Sequence, residues 1–256
     1  MSDPWGAIES APDPDWFVRF LDRTSTRPGE RHPALALLEL RPGARCLDAG
    51  CGVGEDARAV ADLAGARVVG IDLNVRMAAE ARSRSAGRGG LDFAAGDAAR
   101  LPFAAATFDA AWVKRTLMHV PDPAAAVAEL ARVVRPGGTI VAVEPDLEVV
   151  LVDSGLAATT RRVLARRADG YASPWVGRQL RGLLLAAGLT DVRVLADHTE
   201  YTDLATAERV LRLFGLARSL LTADEAARWE EDLRARDAAG RFACYVPWFV
   251  ARGRVA

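Results

Sequence analysis

The sequence predicts an α/β fold built on a doubly wound, mostly parallel sheet of seven strands, with helical additions over the cleft, and three observations carry that expectation. From residue 45 to residue 145, short β-rich runs alternate with Ala-rich amphipathic stretches, the pattern of βαβ units. Between the first run and the first such helix lies a glycine-rich turn, Leu47-Asp48-Ala49-Gly50-Cys51-Gly52-Val53-Gly54-Glu55. Asp72 closes the next run, Val68-Val69-Gly70-Ile71-Asp72, 20 residues beyond Gly52. Right-handed crossovers wind such a sheet on both faces and leave a ligand crevice beyond the carboxyl ends of its strands.

Residues 1–13 hold Pro4, Pro12 and acidic side chains, too little apolar surface to order themselves, and are expected to be a flexible tail. The remainder, 14–256, reads as one domain. Asp13 as cap and Pro14 at the first helical position open a helix with Trp16, Phe17, Phe20 and Leu21 at helical spacing. Thr24 to Gly29 breaks the pattern, and a second helix starts near Pro33 with an apolar face from Ala34 to Leu40. Residues 14–40 are therefore expected to form a helical roof.

Arg41-Pro42-Gly43 turns the chain into the core, 41–149. Strands are expected at 45–49, 67–71, 91–95, 108–113 and 138–144, with helices near 54–64, 74–86 and 123–134. The last helix is opened by Pro123 and stopped by Pro136-Gly137-Gly138. An Arg-rich helix from Ser154 to Tyr171 and another capped by Ser173-Pro174 and ending at Gly188 make 150–188 an insertion over the cleft. In 189–256, a strand at 189–195, a helix at 204–219, a helix opened by the capping box Thr222-Ala223-Asp224-Glu225 and a strand at 242–252 complete the chain. The final two strands would form an antiparallel edge.

At 50% hydrophobic and 26% charged residues the composition is that of a soluble globular protein. A net charge of −1 argues against a polyanionic partner, so nucleic acid is not expected. No run approaches the roughly 20 apolar residues of a membrane span, which disfavours a membrane location. Cys46, Cys51 and Cys244 lack metal-ligand spacing, and reduced thiols in a cytoplasmic monomer or homodimer are expected. No cluster of His, Asp and Glu marks a metal site. Lys114 is the only lysine among 33 basic side chains, the rest being arginine; this reads as a compositional bias.

The glycines at 50, 52 and 54 allow a ligand to lie against the main chain at a helix N-terminus. Glu55 replaces the third glycine of the dinucleotide pattern G-x-G-x-x-G, and with Asp48 it would repel a pyrophosphate. A ligand with a cationic amine and a sulfonium suits that charge.

Leu47-Asp48-Ala49-Gly50-Cys51-Gly52-Val53-Gly54 resembles motif I of the class I S-adenosylmethionine-dependent methyltransferases. Further segments follow in the family's order: the strand ending at Asp72, Gly96-Asp97-Ala98 with Leu101-Pro102-Phe103, Phe108-Asp109-Ala110-Ala111-Trp112-Val113, and Arg132 to Ile140 around Pro136-Gly137-Gly138. The resemblance covers residues 40 to 145 and is nearest to small-molecule methyltransferases of quinone and natural-product pathways. It implies a Rossmann-like fold, S-adenosyl-L-methionine as cofactor, and a cofactor seat at Asp48, Ala49, Gly50, Cys51, Gly52, Asp72, Asp97, Lys114 and Arg115.

Asp72 can accept from both ribose hydroxyls or cap the helix near Val75. The resemblance places Asp97 against the adenine amino group, while Asp97 with Gly96 could equally cap a turn. Leu73, Met77 and Ala98 are the candidates for apolar cover of the purine. The segment Trp112 to Pro123 leaves the fourth strand across the cleft floor. In it His119 reads either as a general base or as a brace against the glycine turn.

Glu144, after the fifth strand, points to the acceptor side, or caps a helix. Trp16, Phe20, Trp175 and Phe214 are candidate acceptor contacts in a mobile apolar roof, with ordinary core as the alternative. His32 and His198 have no supporting context. The function that results is methyl transfer to an O, N or C centre of a hydrophobic small molecule in secondary metabolism. A natural-product cyclase retaining the cofactor pocket and a non-catalytic cofactor-binding protein are the alternatives.

Overall fold

The computed structural model describes residues 15–24 and 33–256. The expected tail, the Asp13 cap with Pro14, the break after Thr24 and His32 lie outside them. The strands are β1 Arg45–Ala49, β2 Arg67–Asp72, β3 Leu91–Ala95, β4 Phe108–Lys114, β5 Val134–Pro145, β6 Leu151–Val152, β7 Leu189–Tyr201 and β8 Cys244–Val255. β3, β2, β1, β4 and β5 pair in that order and in parallel, and β8 joins β5 antiparallel. β7 lies antiparallel on the other side of β8.

The eighth strand is a correction to the expected seven: β6 is two residues long and pairs with Cys244 and Tyr245, beyond the ladder that β5 makes with Trp248–Arg254. Pro136-Gly137-Gly138 does not precede β5 but bulges within it. Val134 pairs with Phe108, Thr139 pairs with Ala110, and the register shifts between them.

Period-two alternation in fully buried strands explains the double winding. Cys46, Ala110, Trp112, Val141 and Val143 face one core with α2 (Glu55–Ala64) and α3 (Val75–Arg84). Leu47, Ala111, Val113, Ile140 and Ala142 face the other with α4 (Pro123–Val133). The expected start at Pro123 holds, with Asp122 capping α4 by accepting from Ala125 N–H at 3.0 Å, whereas the helix ends at Val133, before the expected stop at Pro136-Gly137-Gly138, which lies inside β5.

Three helical expectations change. Pro33–Leu38 is a 3-10 helix whose Leu35 and Leu38 are buried against the β4–β5 face, so it belongs to the core and not to a roof. α5 (Ala157–Ala168) and α6 (Val176–Ala186) do not form one insertion: Val176, Leu180 and Leu184 of α6 are fully buried, and α6 packs on β5, β7, β8 and α4. The helix expected at 204–219 is two, α7 (Leu204–Leu211) and α8 (Leu213–Leu220), broken at Arg212, whose φ is +55°. α9 (Ala223–Ala238) starts with the predicted capping box.

α1 (Asp15–Thr24) does reach the crevice. Phe17 packs with Val53 and Met77, and Arg84 holds Asp22 at 2.5 Å.

Candidate functional site

A cavity of about 660 Å³ opens beyond the carboxyl ends of the parallel strands, within the range of small-ligand sites. Its cofactor-like end gathers Gly50, Cys51 and Gly52 from the β1 turn, then Asp72, Leu73 and Met77 from the turn after β2. Gly96, Asp97 and Ala98 after β3 close that end.

The glycines do less for a ligand than their spacing implies. Gly50 has φ +76°, and a Cβ on it would fall 2.1 Å from Thr116 Oγ1, so the space belongs to the chain's own Thr116. Gly52, at φ +51°, keeps its N–H toward Asp72 Oδ2 at 2.9 Å.

Asp72 ties three elements together: its other oxygen accepts from Asn74 N–H at 2.9 Å. Burial raises its pKa against these two donors. The cap of α3 is not Asp72 but Asn74, whose Oδ1 accepts from Arg76 and Met77 N–H. Asp97 is exposed and accepts from Ala99 N–H at 2.8 Å.

Asp48 and Ala49 do not line the cavity; both are buried behind it. Burial pushes the Asp48 carboxyl well above the usual range, reinforced by Asp56 and Asp72 and opposed by Lys114. Asp56, in the first turn of α2, was missed by the sequence reading. Its two oxygens lie 2.9 and 2.8 Å from Lys114 Nζ, and it accepts from Trp112 Nε1 at 3.1 Å. Burial works against its charge, yet Lys114 and Trp112 hold its pKa below the ordinary value.

Lys114 thus meets the cavity with its charge already paired. Arg115 follows it at φ +53°, a left-handed conformation that turns the chain out of β4, and has no carboxylate within 4.0 Å among the described residues.

Thr116 donates to Ala49 O at 3.2 Å, stitching the cleft floor to the glycine turn. Glu144 does not reach the acceptor space. It is fully buried and its Oε1 accepts from Thr116 and Leu117 N–H at 2.9 and 2.8 Å, so it supports the floor from behind. Burial pushes its pKa up to about 7 against those donors.

For an acid with a raised folded-state pKa, the stabilising contribution is complete below its unfolded pKa and is lost as pH rises through the folded value. Denaturation of wild type and Glu144→Gln at pH 5 and pH 8 should therefore show wild type losing about 3 kcal/mol relative to the variant over that interval. An unchanged difference between the two pH values would remove Glu144 as a titrating group.

His119 lines the cavity in the short helix Leu117–His119, its ring 5.4 Å from that of Tyr171. The acceptor-like end is built from Tyr171, just after α5, and from residues that the sequence does not single out: Arg167 in α5, Thr199 and Tyr201 of β7, and Val246 and Trp248 of β8. His198, set aside from sequence, also lines it because β7 runs on to Tyr201.

Among the proposed roof residues, Phe20 lines the cavity. Trp16 stacks on Phe20 at 4.9 Å, with the Arg212 guanidinium over its ring at 4.6 Å, and is one step removed. Trp175 is 44% exposed and outside the cavity, and Phe214 packs edge-on to Trp229 at 6.2 Å, also outside. Among the described residues no group of three His, Cys, Asp or Glu is arranged for a metal, and no helix is long and apolar enough to cross a membrane.

The profile of the family described as Methyltransferase domain matches residues 47–142. An uncharacterised 37.1 kDa protein of a Streptomyces fradiae transposon is 34% identical over 91% of this chain and 70% of its own length. The 27-O-demethylrifamycin SV methyltransferase of Amycolatopsis mediterranei is 31% identical over 88% of this chain and 79% of its own. The crystal structure of YcgJ from Bacillus subtilis shares the fold with a TM-score of 0.63 at 20% identity, covering 86% of this chain and 95% of that one.

Proposed function

Because this chain belongs to the class I S-adenosylmethionine-dependent methyltransferase family, we propose that it uses S-adenosylmethionine to methylate an O, N or C centre of an apolar small molecule in secondary metabolism. The observation that carries the reading is the continuity of one cavity from Asp72 and the glycine turn to His119 and Tyr171. The similarity to a methyltransferase named for 27-O-demethylrifamycin SV supports a natural-product acceptor.

The residues at the first end fit the cofactor. Asp72 retains lone pairs for the ribose hydroxyls beside its two backbone donors, and exposed Asp97 is free to accept from the adenine amino group. Leu73, Met77 and Ala98 supply purine cover, and Arg115 a partner for the amino-acid carboxylate. Glu55 and Asp72 make the wall favourable to a sulfonium.

When bound, the cofactor would supply an electrophilic methyl group on a positively charged sulfur that can leave as a neutral thioether. The chain's own tasks are alignment and exclusion of water, with His119 placed to take the proton of an acceptor that must lose one.

Mass spectrometry of acceptor and product tests the reaction: a gain of one methylene unit supports transfer, whereas unchanged mass would assign ring closure or isomerisation instead. Asp72→Ala should weaken S-adenosylhomocysteine binding by about 2–4 kcal/mol in calorimetry, since the ribose hydroxyls and the Gly52 N–H both lose their partner. Unchanged affinity in a folded variant would take Asp72 out of the cofactor site.

A further inference from the structure

At the acceptor end the cavity holds a cation that the protein does not neutralise. Arg167 donates through Nε to Leu211 O at 3.3 Å and through Nη2 to the Tyr171 hydroxyl at 3.4 Å, and its Nη1 is buried with no hydrogen-bond partner. A buried donor without an acceptor is destabilising and rare; Nη1 presents no surface to the cavity, so it is the guanidinium's uncompensated positive charge at the cavity wall, its other donors held only at 3.3 and 3.4 Å, that favours an anionic ligand.

No carboxylate lies within 4.0 Å of Arg167 among the described residues. None of the acidic residues that share the cavity is paired with Arg167: Asp56 holds Lys114, Asp72 accepts from Gly52 and Asn74, Asp97 from Ala99 N–H and Asp197 from His198 N–H, and Glu55 lies at the start of α2 beside the glycine turn. Tyr171 accepts from Arg167 and so keeps its own O–H to donate, and the Tyr201 phenol lines the same space. Burial raises the Tyr201 pKa while the charges of Arg115 and Arg167 pull it down, which sets this phenol in the field of both cations. The surrounding wall, Val210, Leu211, Val246 and Trp248, is apolar.

We infer that Arg167, with the hydroxyls of Tyr171 and Tyr201, is the seat of a carboxylate, so that the acceptor is an apolar molecule carrying an acidic head. The planar guanidinium fork matches a carboxylate, and the apolar wall matches the body behind it. This inference rests on the opposite end being the cofactor's, because S-adenosylmethionine brings a carboxylate of its own.

Calorimetry with matched probes separates the two sources: 1-naphthoate against its neutral counterpart 1-naphthamide, with and without saturating S-adenosylhomocysteine. Wild type should bind the naphthoate about tenfold tighter than the amide, and Arg167→Gln should erase that preference while leaving S-adenosylhomocysteine affinity within about twofold. Tyr201→Phe, which keeps the ring packing, should reduce the preference by about threefold and serves if the arginine variant does not fold.

Equal binding of the two probes by wild type overturns the inference, as does a preference that survives in both folded variants. A loss of S-adenosylhomocysteine affinity in Arg167→Gln also overturns it, by assigning the guanidinium to the cofactor. Failure of wild type to bind S-adenosylhomocysteine at all would instead sink the methyltransfer reading, and the probe comparison without cofactor would still judge Arg167.

Discussion

Lys114→Met should cost about 3–5 kcal/mol of stability at pH 7, because it leaves the buried Asp56 carboxylate without its cation while Asp48 stays close by. For a chain of this size that loss corresponds to a fall of about 6–20 °C in melting temperature. The Trp112 Nε1 bond alone cannot replace a charge paired at both oxygens. In the variant the folded-state pKa of Asp56 rises, so the deficit should shrink as pH falls toward 5 and the group protonates. Adding Asp56→Leu to Lys114→Met should recover most of the loss, since removing both members of a buried pair leaves no stranded charge. A melting temperature within 2 °C of wild type, or a deficit indifferent to pH, would show that the pair is not what holds the β4 end to α2.

His119→Gln should lower kcat by about 10²–10⁴ when the acceptor must lose a proton, with S-adenosylhomocysteine affinity retained. The imidazole lies in the cavity wall next to Tyr171, between the Asp72 end and the Arg167 end, where a leaving proton would emerge. Its backbone is fixed independently of its ring: His119 N–H donates to Thr116 O at 2.9 Å, and Thr116 is held by Ala49 and Glu144. The substitution therefore removes the base without releasing the floor. If cofactor affinity or melting temperature falls while turnover of the bound complex is kept, His119 is a brace and the proton leaves by another route.

Much of the fold was legible because it depends on local patterns. Alternating apolar strands, Pro123 at a helix start, the capping box at Thr222 and glycines before α2 each declare themselves within a few residues. What stayed hidden depends on distant partners. Asp56 matters because Lys114 and Trp112 meet it from β4, and nothing near Asp56 in the sequence marks it. Arg167 is one arginine among several in α5, distinguished only by the cavity beside it.

The misplacements of Glu144, Trp175 and Phe214 share a cause: residue type indicated contact chemistry, while depth was set by tertiary packing. Glu144 ends a buried strand and faces backbone N–H groups, and Phe214 finds Trp229 on α9. α6 reads as an insertion from sequence because its glycine- and leucine-rich run carries no sign of which sheet face receives it.

The chain has one lysine, and that lysine lines the ligand cavity at 15% side-chain exposure with its ammonium held by Asp56. Apart from the chain's α-amine, a lysine-directed acylating reagent therefore meets a single amine, and that one lies in the cavity wall. Modification there should be slow, because the amine must leave its carboxylate and lose a proton before it can attack, and slower still when S-adenosylhomocysteine covers the β1–β4 end. The rate of acyl incorporation into the peptide that carries Lys114, read by mass, thus becomes an occupancy gauge built into the composition, one that needs no engineered cysteine and no knowledge of the acceptor.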